Sequence, residues 1–113
     1  MQRKQLRRNS DFAVLLGNQR SQAAEVVVPP GESEGVPDNR HRGADHWLFV
    51  VSGSGQATVN RHRYRLKANA LVLIERGDTH EIKNTGRSDL VTLNFYVPPA
   101  YTAEGEELPA GKR

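Results

Sequence analysis

Apolar residues in this chain fall in short runs broken by glycine, proline, asparagine and aspartate. Nowhere do they recur at helical spacing for three turns, so the pattern predicts an all-β protein. The predicted strands are Phe12–Leu16, Ala23–Val28, His46–Ser52, Gln56–Asn60, His62–Leu66, Leu71–Glu75, His80–Asn84 and Leu90–Val97. Seven or eight strands in about 90 residues make a sandwich or a barrel. The connections expected between them are Pro29-Pro30-Gly31, a polar loop over Glu32–Asp45, a hairpin turn at Gly53-Ser54-Gly55, and tight turns at Asn60-Arg61, Arg76-Gly77-Asp78 and Thr85-Gly86. The chain thus divides into a basic tail over 1–10, one barrel domain over 11–99 and a C-terminal surface tail over 100–113, poor in apolar anchors.

Two strands, His46–Val51 and Ala70–Ile74, are apolar on both faces instead of alternating, which calls for a cover on their outer side. A second copy of the chain, giving a homodimer, and the chain's own Phe12–Leu16 or Val26–Val28 folding back are equally good covers. By contrast, strict alternation from Arg61 to Lys67 puts Arg61, Arg63, Arg65 and Lys67 on one face. That stripe reads as a charged outer face that protects a β-surface from aggregation, or else as a basic stripe for an anionic partner.

Composition narrows the function. The 113 residues hold no cysteine, which removes disulfides, thiolate metal sites and cysteine nucleophiles. The net charge of +3 is local: setting aside Arg3, Lys4, Arg7 and Arg8 from the 16 cations leaves 12 against 13 acids, a net of −1. A four-cation tail without aromatics for base stacking argues against nucleic acid as a partner. No apolar run approaches the roughly 20 residues of a membrane span, and the basic start lacks the apolar stretch of a secretory signal. A cytoplasmic protein is expected.

Four histidines carry the candidate chemistry: His41, His46, His62 and His80. His46 shares a strand face with Leu48 and Val50, and His80 shares one with Ile82 and Asn84, so both should point inward. His41 lies on the loop before His46, and His62 belongs to the basic surface strand. If the sheet curls into a barrel, His41, His46 and His80 can converge, and three neutral imidazoles make a nitrogen site for Zn, Ni, Fe(II) or Cu. The spacing is equally that of unrelated core and surface histidines. Nucleotide-binding, zinc-protease and serine-hydrolase motifs are absent.

The run Asn69-ALVLI-Glu75-Arg-Gly77-DT-His80-EIK-Asn84 resembles the second motif of the cupin superfamily, G-x5-P-x-G-x2-H-x3-N, matching its later glycine, histidine and asparagine. Anchoring the first cupin motif on Gly53 sets its ligand positions at Asn39, His41 and His46, with His46 where the family has glutamate. The resemblance covers Ala23 to Pro99 and implies a double-stranded β-helix (jelly-roll) barrel. Among cupins the chain is most similar to small mannose-6-phosphate isomerase-like barrels. It implies one divalent transition metal (Zn, Ni, Mn or Fe) on His41, His46 and His80, with Asn39 as a weaker ligand-binding contact.

Three functions follow as expectations. The first is a metal-dependent enzyme of oxygenase or isomerase type acting on a small polar molecule. The second is a metal-free module binding a sugar or organic acid, and the third is a dimeric scaffold. No general acid or base stands out in the sequence.

Overall fold

The computed structural model describes residues 1–6, 11–40 and 43–111, with backbone alone for 36–40. It contains nine described strands: β1 (Phe12–Gly17), β2 (Gln22–Val28), β3 (Ser33–Arg40), β4 (Asp45–Ser52), β5 (Ser54–Val59), β6 (His62–Lys67), β7 (Leu71–Ile74), β8 (Thr79–Asn84) and β9 (Leu90–Val97). The one described helical segment is a 3-10 turn at Pro109–Gly111. No described helix is long and apolar enough to cross a membrane.

The strands form a five-stranded sheet in the order β1-β2-β9-β4-β7 and a four-stranded sheet in the order β3-β8-β5-β6. Their pairings are antiparallel throughout. This is the jelly-roll arrangement expected, two sheets closing over one core. Val26, Val28, Leu48, Val50 and Leu90 from the first sheet meet Ala57, Leu66 and Ile82 from the second. Each sits at alternate positions of its strand, the period-2 rule that aims one face inward.

Two connections differ from the sequence reading. Strand β3 lies inside the stretch expected to be a polar loop. Its sequence, SEGVPDNR, has turn residues and no apolar alternation, and it is extended because β8 pairs with it: Ser33 opposite Lys83, Glu34 opposite Ile82, Gly35 opposite Glu81. The register breaks between Gly35 and Arg40, around Pro37, which has no N–H to give the ladder. Here tertiary pairing overrides local preference.

Gly53 is no hairpin turn either. Strands β4 and β5 belong to different sheets, and Gly53 is the corner where the chain crosses between them, with φ +89°. A Cβ there would come within 2.4 Å of the Asp89 carbonyl oxygen. The true hairpin, β5–β6, turns on Asn60 and Arg61, both with positive φ as a two-residue turn demands.

Residues 100–111 lie against the barrel. Ala100 is fully buried, and Gln22 of β2 pins the segment: its amide nitrogen donates to the Tyr101 carbonyl at 2.6 Å and its oxygen accepts from the Ala100 and Tyr101 amides. The Tyr101 ring is thereby held edge-on to Phe12 and Tyr96.

Candidate functional site

The two inward histidines meet between the sheets. His46 near the start of β4 and His80 near the start of β8 are both 4% exposed, with ring centroids 5.4 Å apart and planes at 73°. They come from opposite sheets, so barrel closure alone brings residues 34 positions apart into contact. The Tyr96 ring also packs against His46, at 4.6 Å between centroids. His62 is exposed on β6, as its surface reading expected. His41 lies outside the described residues, as does the side chain of Asn39.

Around the pair, Glu34, Thr92, Asn94, Tyr96 and Tyr101 join Val26, Val28, Leu48 and Ile82 to line one cavity. The free space inside is about 20 Å³. That admits a single water or ion and falls far below the roughly 300–1,000 Å³ of small-molecule pockets. A larger ligand would therefore have to bind over the cavity, at the rim.

A polar chain orients His46. The Thr92 hydroxyl donates to the Val26 carbonyl at 2.9 Å, the Asn94 amide nitrogen donates to the Thr92 oxygen at 2.9 Å, and the Asn94 oxygen faces His46 Nε2 at 2.6 Å. All three polar side chains are buried, where an unmade hydrogen bond would cost about 1–3 kcal/mol.

The cavity wall also carries a carboxylate and two phenols, of which Tyr96 is fully buried. Glu34, exposed as a whole, meets enough desolvation at its carboxyl, together with the charge of Asp11, to raise its pKa above the ordinary value. Burial keeps the Tyr96 phenol neutral well past its usual range, helped by the neighbouring Tyr101 and Glu34. Burial first, then the charges of Glu107 and Glu34, push Tyr101 up to about 12. Glu34 is thus an acid–base group at the mouth, where the sequence reading found none, and both phenols are hydrogen-bond donors at neutral pH.

The inward polar residues of β9 were legible in principle. In Leu90-Val-Thr-Leu-Asn-Phe-Tyr-Val97 the positions that share a face with Leu90 are Thr92, Asn94 and Tyr96, a polar series on a core face. Glu34 and Tyr101 had no such signal, since their strand and docked segment exist only through tertiary contacts. Asn84, matched as a motif residue, serves the scaffold. Its amide donates to the Val28 and Ser88 carbonyls at 2.8 and 2.7 Å, and its oxygen accepts from Gly86 N–H at 2.8 Å.

For a metal, the donor chemistry fits in kind. Neutral imidazoles suit divalent transition ions. Among the described residues, however, no three histidines, aspartates or glutamates are grouped to hold one.

A closed double-sheet barrel with a polar pair at its inner end defines a double-stranded β-helix protein with an interior site. Residues 24–96 match the model of the cupin domain, and the chain belongs to the cupin family. It is 32% identical over 82 residues to a mannose-1-phosphate guanylyltransferase of Klebsiella pneumoniae, covering 73% of this chain and 17% of that one. It is 30% identical over 74 residues to an oxalate-binding protein of Thermotoga maritima, covering 66% and 60%. The chain therefore spans less than a fifth of the guanylyltransferase. Among solved structures, a Bacillus halodurans protein superposes with a TM-score of 0.80 at 21% identity, over 93% of this chain and 81% of the other.

Proposed function

We propose that this chain is a small metal-binding cupin in which His46 and His80, with His41, hold one divalent transition ion (Zn, Ni, Mn or Fe), and a small oxygen-rich molecule binds over it at the barrel mouth. The observation that carries this is the meeting of two buried imidazoles around a space of about 20 Å³, the size of an ion and not of a sugar. The described residues lining that cavity include no lysine or arginine. The names of the relatives concern oxalate and mannose 1-phosphate, both small oxygen-rich anions, and an inner cation is what such a wall would need to attract one.

When bound, such an ion supplies Lewis acidity or, as iron, an electron. The chain's own residues do the rest. Asn94 orients the His46 ring; Tyr96 and Tyr101 present hydroxyls; Glu34 can hold or release a proton at the rim, as an isomerase- or oxygenase-type reaction would use.

A second reading, a metal-free binding module for a sugar or organic acid, is favoured by one contact. Asn94 engages Nε2 of His46 at 2.6 Å, so that nitrogen is held by a protein hydrogen bond where an ion would need it as a ligand.

The test is elemental analysis of untagged chain, alongside His41→Ala, His46→Ala and His80→Ala, with thermal melts in added Zn, Ni, Mn or Fe(II). One equivalent of metal, lost in each variant, and a melting temperature raised by metal in the wild type alone are expected, since an ion binding only the native state must stabilise it. No metal, no shift with any ion, and a shift with a sugar or dicarboxylate alone would establish the second reading.

A further inference from the structure

The outer face of the four-stranded sheet is polar and nearly of one sign. Along β6, Arg63, Arg65 and Lys67 leave the strand on that face, opposite in direction to buried Leu66, and Arg61 continues their line into the β5–β6 turn. Arg65 stands opposite Gln56 and Gln56 opposite Lys83; Arg63 stands opposite Thr58 and Thr58 opposite Glu81. With Arg61, the outward positions of β5, β6 and β8 therefore hold five cations against one carboxylate, a net of +4, while the other 11 cations and 12 acids of the chain sum to −1. A sheet face that only resists aggregation works best with both signs interspersed, whereas a single-sign field draws in and orients a partner of opposite charge. Among the described residues, Arg63, Arg65, Lys67 and Lys83 enter no ion pair.

The face is also grooved. Two depressions of about 480 and 350 Å³ share Gln56, Arg63 and Thr85; Arg61 and Lys83 line the first, Tyr64 and Arg65 the second. Together they make one trough that follows β6 from Arg61 to Arg65. Cations two residues apart on a strand stand about 6.6 Å from each other. That is close to the step between phosphates of an extended nucleotide chain, so a linear polyanion meets every cation in turn, where a compact anion would engage one or two. The trough also has the aromatic that the N-terminal tail lacks. Tyr64 alternates with the arginines, yet β6 is an edge strand, and Tyr64 is 54% exposed at the open side of the sheet.

We infer that this trough binds a single-stranded nucleic acid, its phosphates on Arg61, Arg63, Arg65 and Lys83 and a base stacked on Tyr64 at the sheet edge. A basic groove that tracks the backbone, with an aromatic on which a base can stack, is what such a strand needs, and it is indifferent to sequence because every base has a π-face. Gln56, Thr58 and Thr85 add neutral hydrogen-bonding groups between the cations, suited to phosphate and sugar oxygens. Glu81, the one carboxylate, lies on the Arg63 row, which leaves the row from Arg65 through Gln56 to Lys83 the more positive path across the sheet.

Fluorescence anisotropy of a labelled oligothymidylate of about 15 nucleotides, titrated with the whole chain, tests the inference. The wild type should bind with a dissociation constant of about 1–100 µM at physiological salt. The logarithm of its affinity should fall against that of the salt concentration with a slope of about −3, as four phosphates neutralised on a single strand give. Arg63→Glu and Arg65→Glu should each weaken binding about tenfold or more with unchanged far-ultraviolet spectra; Lys83→Glu, on a different strand, decides the matter if they misfold. Tyr64→Ala should weaken it about fivefold or more, yet leave unchanged the binding of an abasic oligomer of the same length, which has the phosphates without the bases. Neutralising the tail with Arg3→Gln, Lys4→Gln, Arg7→Gln and Arg8→Gln together should cost less than about threefold. No binding at about 100 µM, a loss confined to the tail variant, or a Tyr64→Ala loss that is the same on the abasic oligomer overturns the inference. Heparin bound as tightly as the oligothymidylate, and equally by wild type and Tyr64→Ala, overturns it in favour of an acidic polysaccharide. None of these results bears on whether the barrel interior holds a metal.

Discussion

His46 and Asn94 meet at 2.6 Å across neighbouring strands, and a backbone carbonyl on a third strand decides which of them supplies the proton. The Val26 carbonyl can only accept, so the Thr92 hydroxyl must donate to it. With its one proton spent, the Thr92 oxygen accepts from the Asn94 amide nitrogen, which turns the Asn94 oxygen toward His46. His46 therefore carries its proton on Nε2, an assignment from the network.

Long-range nitrogen–proton NMR of the neutral protein should show His46 as the Nε2–H tautomer. Asn94→Ala should give a mixture of tautomers and lower stability by about 1–3 kcal/mol, the cost of leaving buried polar groups unmatched. An Nδ1–H tautomer in the wild type would refute the network.

Glu34 should make stability depend on pH. Its folded pKa is raised, so the native state binds the proton more tightly than the unfolded chain does. The resulting stabilisation is complete below the ordinary carboxylate range and is lost as pH climbs through the raised value. Glu34→Gln, which mimics the protonated form, should gain melting temperature relative to wild type between about pH 4 and 7. A difference between the two that stays constant over that range would show that Glu34 titrates normally.

Two glycines with positive φ should respond differently to alanine. Gly77 has φ +87° and open space where a Cβ would stand, so Gly77→Ala suffers from the backbone conformation alone, a loss of about 1 kcal/mol. Gly53→Ala adds to that strain the collision with the Asp89 carbonyl, and should lose about 3 kcal/mol or fail to fold. Urea melts of both proteins compare them directly; equal losses would mean that the β4–β5 corner is looser than its geometry.

Gln22→Ala should release the C-terminal segment without unfolding the barrel. The three hydrogen bonds made by Gln22 hold residues 100–101 and hence the Tyr101 ring over the mouth. Limited proteolysis should cut the variant after residue 100 at least tenfold faster than wild type, at a cost of about 1–3 kcal/mol in stability. Equal cutting rates would show that Tyr101 packing against Phe12 and Tyr96 suffices.

Short β-type runs between turn residues determined eight of the strands, and the period of two within them determined the inward direction of His46 and His80. Side chains of a strand change sides at every residue, so a histidine sharing positions with leucine, valine or isoleucine goes where they go. The special turns at Asn60 and Gly77 were equally local, because positive φ is a property of single residues. What only the tertiary structure decided was everything that depends on a partner far along the chain. Strand β3 owes its extension to β8, Gly53 its role to a change of sheet, and Glu34 and Tyr101 their place at the mouth to that pairing and to Gln22. The 5.4 Å between His46 and His80 belongs to the same class, since no periodicity within either strand states how far apart two facing sheets will close.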